Sequence, residues 1–165
     1  ADLKQSLGSS VRIVRAMPNT PAMVGEGMTG LSWSDDGFSE SERTELMQFF
    51  TSFGKAETVP ENLMDAVTAA SGSSPAFIYM MIEALADGVV KYGMPRDKAY
   101  TFVSQAVLGS AKMVLETGEH PGLLKDNVCS PGGTTIAAVA ELEASGFRSS
   151  LIKAASAVCD RCRNM

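Results

Sequence analysis

The spacing of hydrophobic and polar residues changes about one third of the way along this 165-residue chain. Before that point, apolar residues alternate with polar ones in short runs, as in β-strands. One longer stretch, with apolar residues three or four apart, predicts an amphipathic helix. The predicted elements are strands at residues 11–17, 28–33 and 55–59 and a helix at residues 39–53, begun by Ser39 or Ser41 and closed by Gly54.

From residue 61 onward the spacing is helical throughout. Ser74 is suited to cap the next free backbone N–H groups, and Pro75 suits a first helical position. Gly93, Gly118 and Gly146 are placed to end helices. The pattern predicts helices at residues 61–70, 75–92, 96–117, 134–144 and 147–163, with a short helical turn or a loop at 121–128.

These elements predict a mainly α fold with two parts. Residues 61–165 are predicted to form an all-helical domain. Residues 1–60 supply two or three strands and one helix, which cannot make a complete sheet layer by themselves. We therefore predict that residues 1–60 are the last strands and helix of a larger α/β domain whose beginning is absent from the chain.

The predicted helix at residues 75–92 is apolar around most of its circumference. Its charged residues, Glu83, Asp87 and Lys91, are four apart and therefore form one narrow stripe. Such a helix has to be buried on most sides, and six helices hardly suffice to surround it. We predict a second copy of the chain packed across a two-fold axis. The alternative is the central helix of a monomeric bundle.

Charge and hydropathy exclude two classes of partner. The net charge is −5 and no basic run exceeds a residue or two, so binding to nucleic acid is not expected. The most apolar stretch, residues 77–90, is interrupted by Glu83 and Asp87 and is too short to cross a bilayer. No stretch has the pattern of a signal peptide. We predict a soluble, cytoplasmic protein that binds neither nucleic acid nor membranes.

The three cysteines do not predict a disulfide framework, because their number is odd and no export signal is seen. Cys159 and Cys162 form a CxxC pair, and His120 with Cys129 would complete four zinc ligands. A second CxxC is absent, and this pair falls near the end of a predicted helix. We therefore predict ordinary cysteines and no metal site.

Residues 126–135, with the sequence DNVCSPGGTT, form the candidate binding site. Gly132 and Gly133 let the backbone approach a ligand closely. The helix that follows offers unpaired N–H groups and the positive end of its dipole, and nearby hydroxyls add donors. This combination predicts a socket for a small carboxylate or phosphate. The alternative is a plain capped helix start in which the two glycines only make a turn.

No other segment has the pattern of a reaction centre. His120 lies beside Pro121 in a polar stretch and is predicted to be a surface residue. The chain contains no Ser/His/Asp set and no paired-carboxylate pattern. It also lacks the GxGxxG loop that holds dinucleotide phosphates. By its own residues the chain is expected to provide binding and assembly.

Five ordered motifs resemble those of one family. The most specific is LKDNVCSPGGTTI at residues 124–136, and the others are at residues 17–21, 65–76, 84–91 and 146–149. Together they cover essentially the whole chain and resemble the pyrroline-5-carboxylate reductases. Ser74 and Cys129 stand where a glycine and a serine would be equally expected, and neither changes the anion-socket argument.

The resemblance implies a fold, a reaction and an assembly. Residues 1–60 would be the remnant of a Rossmann-type dinucleotide-binding domain, and residues 61–165 the helical dimerisation domain. NADPH or NADH, bound mostly by the absent domain, would deliver hydride to the C=N carbon of 1-pyrroline-5-carboxylate and give L-proline, the last step of proline biosynthesis. The partners implied are the imino acid substrate and a second subunit, with rings of dimers as a further level.

The resemblance also implies roles for individual residues. Ser130, Gly132, Gly133 and Thr134 would hold the substrate carboxylate, while Thr135 would place its hydroxyl near the ring nitrogen as the catalytic residue. Glu61 and Glu119 would line the substrate site. Asn127 and Asn19 would lie on the cofactor side, and no metal is needed.

Two other functions compete with this one. The chain alone could be a catalytically inactive dimerisation module. A helical domain of another Rossmann-type reductase, such as a hydroxyacid dehydrogenase, is disfavoured because no lysine has a suitable helical setting.

Overall fold

The computed structural model describes residues 2–8, 10–34 and 37–164. The chain divides into two compact units, residues 1–76 with 154–165 and residues 77–153. Eight helices and three strands carry the fold of the described residues. They are α1 (Asp2–Leu7), β1 (Val14–Met17), β2 (Gly27–Trp33), α2 (Glu40–Thr51), β3 (Gly54–Thr58), α3 (Met64–Val67), α4 (Ser74–Val90), α5 (Arg96–Thr117), α6 (Pro121–Val128), α7 (Thr134–Ala144) and α8 (Phe147–Arg163).

The first unit contains a three-stranded mixed sheet in the order β1-β2-β3. β1 runs antiparallel to β2, with Val14 opposite Trp33, and β3 runs parallel to β2. β2 is the most buried strand, and the side chain of Leu31 at its centre is inaccessible to solvent. Gly54 was predicted to close α2, but it has a second role. It begins β3 in a conformation with a φ of 150°, and a Cβ there would lie 2.1 Å from the Gly27 carbonyl oxygen.

One continuous helical segment packs closely on this sheet at two glycines. The segment starts with a 3-10 turn at Glu61–Leu63, continues as α3 and ends in a π-helical turn at Thr68–Gly72. A Cβ on Gly30 would lie 2.6 Å from the Val67 side chain. A Cβ on Gly72 would lie 2.6 Å from the end of the Met17 side chain. Gly30 therefore makes room for the stiff Val67 side chain, whereas at Gly72 the flexible end of Met17 can move aside.

The prediction of a single α-helix at residues 61–70 is wrong. The segment changes from a 3-10 helix to an α-helix and then to a π-helix. Side-chain hydroxyls explain part of this. The hydroxyls of Thr68 and Ser71 donate to the carbonyls of Met64 and Val67, and the Ser73 N–H donates to the Thr68 carbonyl five residues back. The predicted cap at Ser74 is also wrong, because its hydroxyl donates backward to the Ala70 carbonyl at 2.7 Å.

α2 is joined to the sheet by a charged and aromatic cluster. The predicted cap at Ser39 is confirmed as a reciprocal capping box with Glu42. The Glu42 carboxylate also accepts two hydrogen bonds from Arg12, at 2.8 and 2.5 Å. The Arg43 guanidinium lies 4.9 Å from the centre of the Trp33 ring, a cation–π distance. These contacts fix the helix against the end of β2.

The second unit consists of helices, with α5, α6 and α7 entirely within it and most of α4. The predicted bounds of α5, α7 and α8 are confirmed, and residues 121–128 form a helix. Gly118 and Gly146 follow helix ends with φ values of 67° and 76°, a region that favours glycine. Among the described residues, no helix combines the length and the hydropathy required to cross a lipid bilayer.

Two features were not predicted or were displaced. Residues 2–7 form the short helix α1, which the sequence pattern did not predict. β1 begins at Val14, three residues later than predicted. The fold class predicted from the sequence, a mainly helical protein with a small sheet at its start, is confirmed.

Candidate functional site

The loop between α6 and α7 contains a tight turn that needs glycine at two positions. The Gly133 N–H donates to the Ser130 carbonyl at 3.0 Å, and Gly132 has a φ of 68°. Proline second and a glycine with positive φ third are typical of a type II turn. A Cβ on Gly133 would lie 2.5 Å from the Ser130 hydroxyl oxygen. The turn is therefore fixed by its own sequence, Ser-Pro-Gly-Gly.

α7 begins directly after this turn with its N-terminus open. Gly133 is the N-cap residue and offers no side chain to cap the helix. The first turn contains no acidic residue. The backbone N–H groups of Thr134 and Thr135 lie in that first turn, where no intrahelical acceptor exists. The start of α7 therefore presents unpaired donors and the positive end of the helix dipole.

Hydroxyl groups surround the same helix start. Within the described residues, the hydroxyls of Ser130, Thr134 and Thr135 make no hydrogen bond. Ser130 and Thr134 are exposed, and Thr135 is half-buried. Hydroxyls elsewhere in the helices mostly donate to the carbonyl one turn back, as Ser110 does to Ala106. The helix start therefore keeps its hydroxyls available for a ligand.

Two other helices satisfy their own N-termini with a side chain. α2 uses the capping box of Ser39 and Glu42. α6 uses His120, whose Nδ1 accepts the Gly122 N–H at 3.0 Å. His120 lies at the surface, as predicted, but its capping role was missed, because His is not among the common N-cap residues. α5 also lacks a side-chain cap, but the acidic residue Asp97 lies in its first turn. The start of α7 has a glycine N-cap, no acidic residue and hydroxyls nearby, which makes it the best candidate for binding an external anion.

The two charged residues just before the turn, Lys125 and Asp126, form an ion pair with each other. Lys125 Nζ lies 2.6 Å from Asp126 Oδ1. This hydrogen bond and the nearby carboxylate raise the pKa of the Lys125 ammonium group. Asn127 is exposed, and its side chain has no hydrogen-bond partner among the described residues. Asn127 is therefore the available polar side chain on this side of the turn.

Three predicted site residues lie away from the turn in sequence. Glu119 is exposed in the second unit, just before α6, and its backbone N–H donates to the Thr117 hydroxyl. Glu61 belongs to the first unit, where it forms an exposed ion pair with Arg15 at 2.6 Å. Asn19 also belongs to the first unit, in the turn that follows β1.

Both polar atoms of the Asn19 side chain form hydrogen bonds with the backbone. Its carbonyl oxygen accepts the Met28 N–H at 2.9 Å, and its amide nitrogen donates to the Ser71 carbonyl at 3.1 Å. Asn19 thus ties the start of β2 to the π-helical turn. Sequence reasoning missed this role, because Ser71 is 52 residues away along the chain.

The chemistry that this arrangement offers is anion binding with one half-buried hydroxyl beside it. Within residues 2–8, 10–34 and 37–164, no group of three or more His, Cys, Asp or Glu side chains is arranged to hold a metal ion. Backbone donors and a threonine hydroxyl can hold and orient a small acid. They do not supply a redox group.

An apolar groove lies between α4 and α5 in the second unit. It has a volume of about 420 Å³ and is lined by Met81, Leu85 and Val89 of α4 and by Val103, Ala106 and Val107 of α5. Several large apolar side chains around it are exposed, including Met80 at 68% and Phe102 at 65%. Apolar exposure of this extent is typical of a surface that another chain covers.

Comparison with known proteins gives a consistent result. A family model described as pyrroline-5-carboxylate reductase dimerisation matches residues 61–165. The chain is 53% identical over 152 residues to the pyrroline-5-carboxylate reductase of Escherichia coli, covering 92% of this chain and 56% of that protein. The chain therefore spans little more than half the length of this relative.

Solved structures agree with the sequence comparison. A pyrroline-5-carboxylate reductase from Coxiella burnetii matches with a TM-score of 0.91 and 36% identity, over 98% of this chain and 60% of that one. The Plasmodium falciparum pyrroline carboxylate reductase, crystallised with NADP bound, matches with a TM-score of 0.89 and 35% identity, over 96% of this chain and 64% of that one.

Proposed function

The chain belongs to the pyrroline-5-carboxylate reductase family, and from this premise we propose that it is the substrate-binding and dimer-forming part of such an enzyme. The reaction proposed is reduction of 1-pyrroline-5-carboxylate to L-proline with NAD(P)H, the last step of proline biosynthesis. The observation that carries the proposal is the open start of α7 after the Ser130–Gly133 turn. It matches the carboxylate that substrate and product share.

The substrate carboxylate binds at the first turn of α7. The N–H groups of Thr134 and Thr135 donate to its oxygens, and the helix dipole favours its negative charge. The Ser130 hydroxyl adds a side-chain donor at the same helix start. Gly133 contributes mainly by lacking a side chain, since its N–H already donates to the Ser130 carbonyl. Gly132 contributes the positive φ that opens the turn.

Thr135 orients the imine. With the carboxylate held at the helix start, its half-buried hydroxyl is directed to the ring nitrogen and forms a hydrogen bond there. Hydride adds to the carbon of the C=N bond, and the nitrogen ends as an amine with one added proton. Fixing this geometry supplies much of the rate enhancement, because the reacting atoms no longer have to find each other in solution.

The nicotinamide cofactor supplies the hydride. Of the two residues predicted on the cofactor side, Asn127 fits better, because its exposed carboxamide has no partner among the described residues. The Asn19 amide is occupied by Met28 and Ser71, so Asn19 contributes by holding the backbone turn in shape. We propose that residues outside this chain determine whether NADH or NADPH is used.

The next part of the proposal concerns how the chain assembles. Two copies of the chain form a homodimer through the helical domain, with rings of dimers as a further level. Residues 61–165 act as that domain, and residues 1–60 complete a Rossmann-type domain.

Glu119 and Glu61 line the approach to the substrate. The protein is located in the cytoplasm. The 165 residues contain no dinucleotide-phosphate loop, so we propose that this chain alone dimerises and binds substrate without turning it over.

Replacing Thr135 in the full-length enzyme tests the proposal. Thr135→Ala should lower kcat by about a hundredfold, the low side of what one positioned proton-transfer group contributes. Thr135→Ser keeps the hydroxyl and should retain most of the rate. The measurement is NADPH oxidation against substrate concentration. If kcat and KM of Thr135→Ala both equal those of the wild type, Thr135 has no part in the mechanism.

A further inference from the structure

The CxxC pair near the end of α8 is not used by the proposed function. Cys159 and Cys162 lie three residues apart on this helix, in the first unit, and both are half-buried and free. The Cys159 thiol donates a weak hydrogen bond to the Asp65 carbonyl of α3 at 3.7 Å. Residues three apart share one face of a helix, so both sulfurs lie on the same side of α8.

Helix geometry disfavours a disulfide between these two thiols. Neighbours three apart on a helix have Cβ atoms about 5–6 Å apart. A disulfide requires Cβ atoms about 3.5–4.5 Å apart, so the last turn would have to distort. A metal–thiolate bond is about 2.3 Å long, so two such bonds in line hold the sulfurs about 4.6 Å apart. The undistorted helix thus suits a bridging ion better than an S–S bond.

The surroundings favour an ion that accepts two ligands. No group of three or more His, Cys, Asp or Glu side chains is arranged as metal ligands within the described parts of the chain, whereas structural zinc takes four. Thiolates are soft donors that select Cu(I). A Cu(I) ion between two thiolates carries a net charge of −1, and Arg161 and Arg163 in the same last turn offset it.

We propose that Cys159 and Cys162 form a two-thiolate binding site for a soft monovalent cation of the Cu(I) type. Binding releases one proton from each thiol, so that two thiols and Cu⁺ give the bis-thiolate complex and two protons. The Cys159 thiolate can no longer donate to the Asp65 carbonyl, so the ion replaces that contact. The proposal is independent of the reductase function, because α7 and its turn are not involved.

The test is an anaerobic competition titration of the purified chain with Cu(I) against a chromogenic Cu(I) chelator. One ion per chain is expected, and both Cys159→Ser and Cys162→Ser should weaken binding by about a hundredfold, because a chelate is lost. Cys129→Ser is the matched control and should bind like the wild type. Zn(II) should compete poorly, since the site has two ligands.

Alkylation with iodoacetamide, followed by peptide mass analysis, gives an independent readout on the folded chain. Cu(I) should protect Cys159 and Cys162 together and leave Cys129 reactive. The proposal is wrong if either serine variant binds as tightly as the wild type. It is also wrong if Cys129 is protected as well as the pair, or if binding persists unchanged in the urea-unfolded chain.

Discussion

Thr29 shows how a single side chain can lower the stability of this fold. It lies in the middle of β2 with 1% of its surface exposed. Within the described residues, its hydroxyl oxygen has no hydrogen-bond partner. A buried hydroxyl without a partner loses its hydration and gains nothing in return, which costs about 1–3 kcal/mol. Most buried polar atoms in proteins avoid this cost by pairing.

Thr29→Val should therefore raise the free energy of unfolding by about 1 kcal/mol, since valine has the same shape without the hydroxyl. Urea unfolding at one fixed protein concentration measures it, because an oligomer's stability depends on concentration. Thr58→Val on β3 is the control. The Thr58 hydroxyl oxygen accepts the Trp33 indole N–H at 3.1 Å, so this variant should gain nothing. Equal or lower stability of Thr29→Val would show that its hydroxyl is satisfied in solution.

At the scale of single elements, α2 depends on charge at its first turn. Hydrogen bonds from Arg12, and then from Ser39, hold the pKa of the Glu42 carboxyl at about 2, compared with the usual 4.5. A carboxyl whose pKa is lowered by folding stabilises the folded state above its unfolded pKa. That contribution is lost as the pH falls from about 4.5 toward about 2.

Glu42→Gln should be less stable than the wild type at pH 7, and the difference should shrink as the pH is lowered through this window. Glutamine can still serve in the capping box, so the change isolates the charge. Added salt should also reduce the difference, because the pair with Arg12 is exposed. This stability difference is measured by thermal unfolding of both proteins from pH 7 to pH 2.5, with Glu45→Gln as the control. A difference that does not vary with pH would contradict the assignment.

The same scale shows why some elements were predictable and others were not. α5 and α7 are bounded by local signals, since Pro95 precedes α5, Gly118 ends it and two glycines precede α7. The turn before α7 could be located for the same reason. The helical types between residues 61 and 72 were not predictable. They depend on contacts such as Asn19 with Ser71 and Gly72 with Met17, which join residues more than 50 positions apart.

Strand order was beyond the sequence for a similar reason. Alternation predicts that a segment is a strand, but it does not say which neighbour it pairs with. β3 lies parallel to β2 because the chain crosses through α2 between them. Gly54 follows the end of α2 and was interpreted as a helix stop. Its contact with Gly27 shows that it also serves the close approach of two strands.

At the scale of the whole molecule, the groove between α4 and α5 bears on the proposed dimer. The Leu85 side chain is 49% exposed although it lines this groove with Val89 and Val107. The family model that covers α4 and α5 describes dimerisation. Burying an apolar groove of this kind against a second copy removes apolar surface from water and drives association.

Leu85→Glu should therefore convert the dimer to a monomer. An unpaired carboxylate buried in the interface costs several kcal/mol, so the dissociation constant should rise at least about a hundredfold. Multi-angle light scattering should give a mass of twice 17.4 kDa for the wild type and 17.4 kDa for the variant. Leu7→Glu, at an exposed leucine of α1, is the control and should remain a dimer. A dimeric Leu85→Glu would place the interface elsewhere.

The turn before α7 has a consequence for how the proposed enzyme would respond to acidity. The donors proposed to hold the substrate carboxylate are peptide N–H groups and the Ser130 hydroxyl, and neither kind of group gains or loses its proton anywhere in the range where the chain is folded. A receptor built from lysine or histidine would weaken as those groups lost charge. These donors would bind the carboxylate equally well across this range, so a pH dependence of turnover would originate elsewhere, in the imine nitrogen, in the two glutamates proposed to line the approach or in the cofactor step.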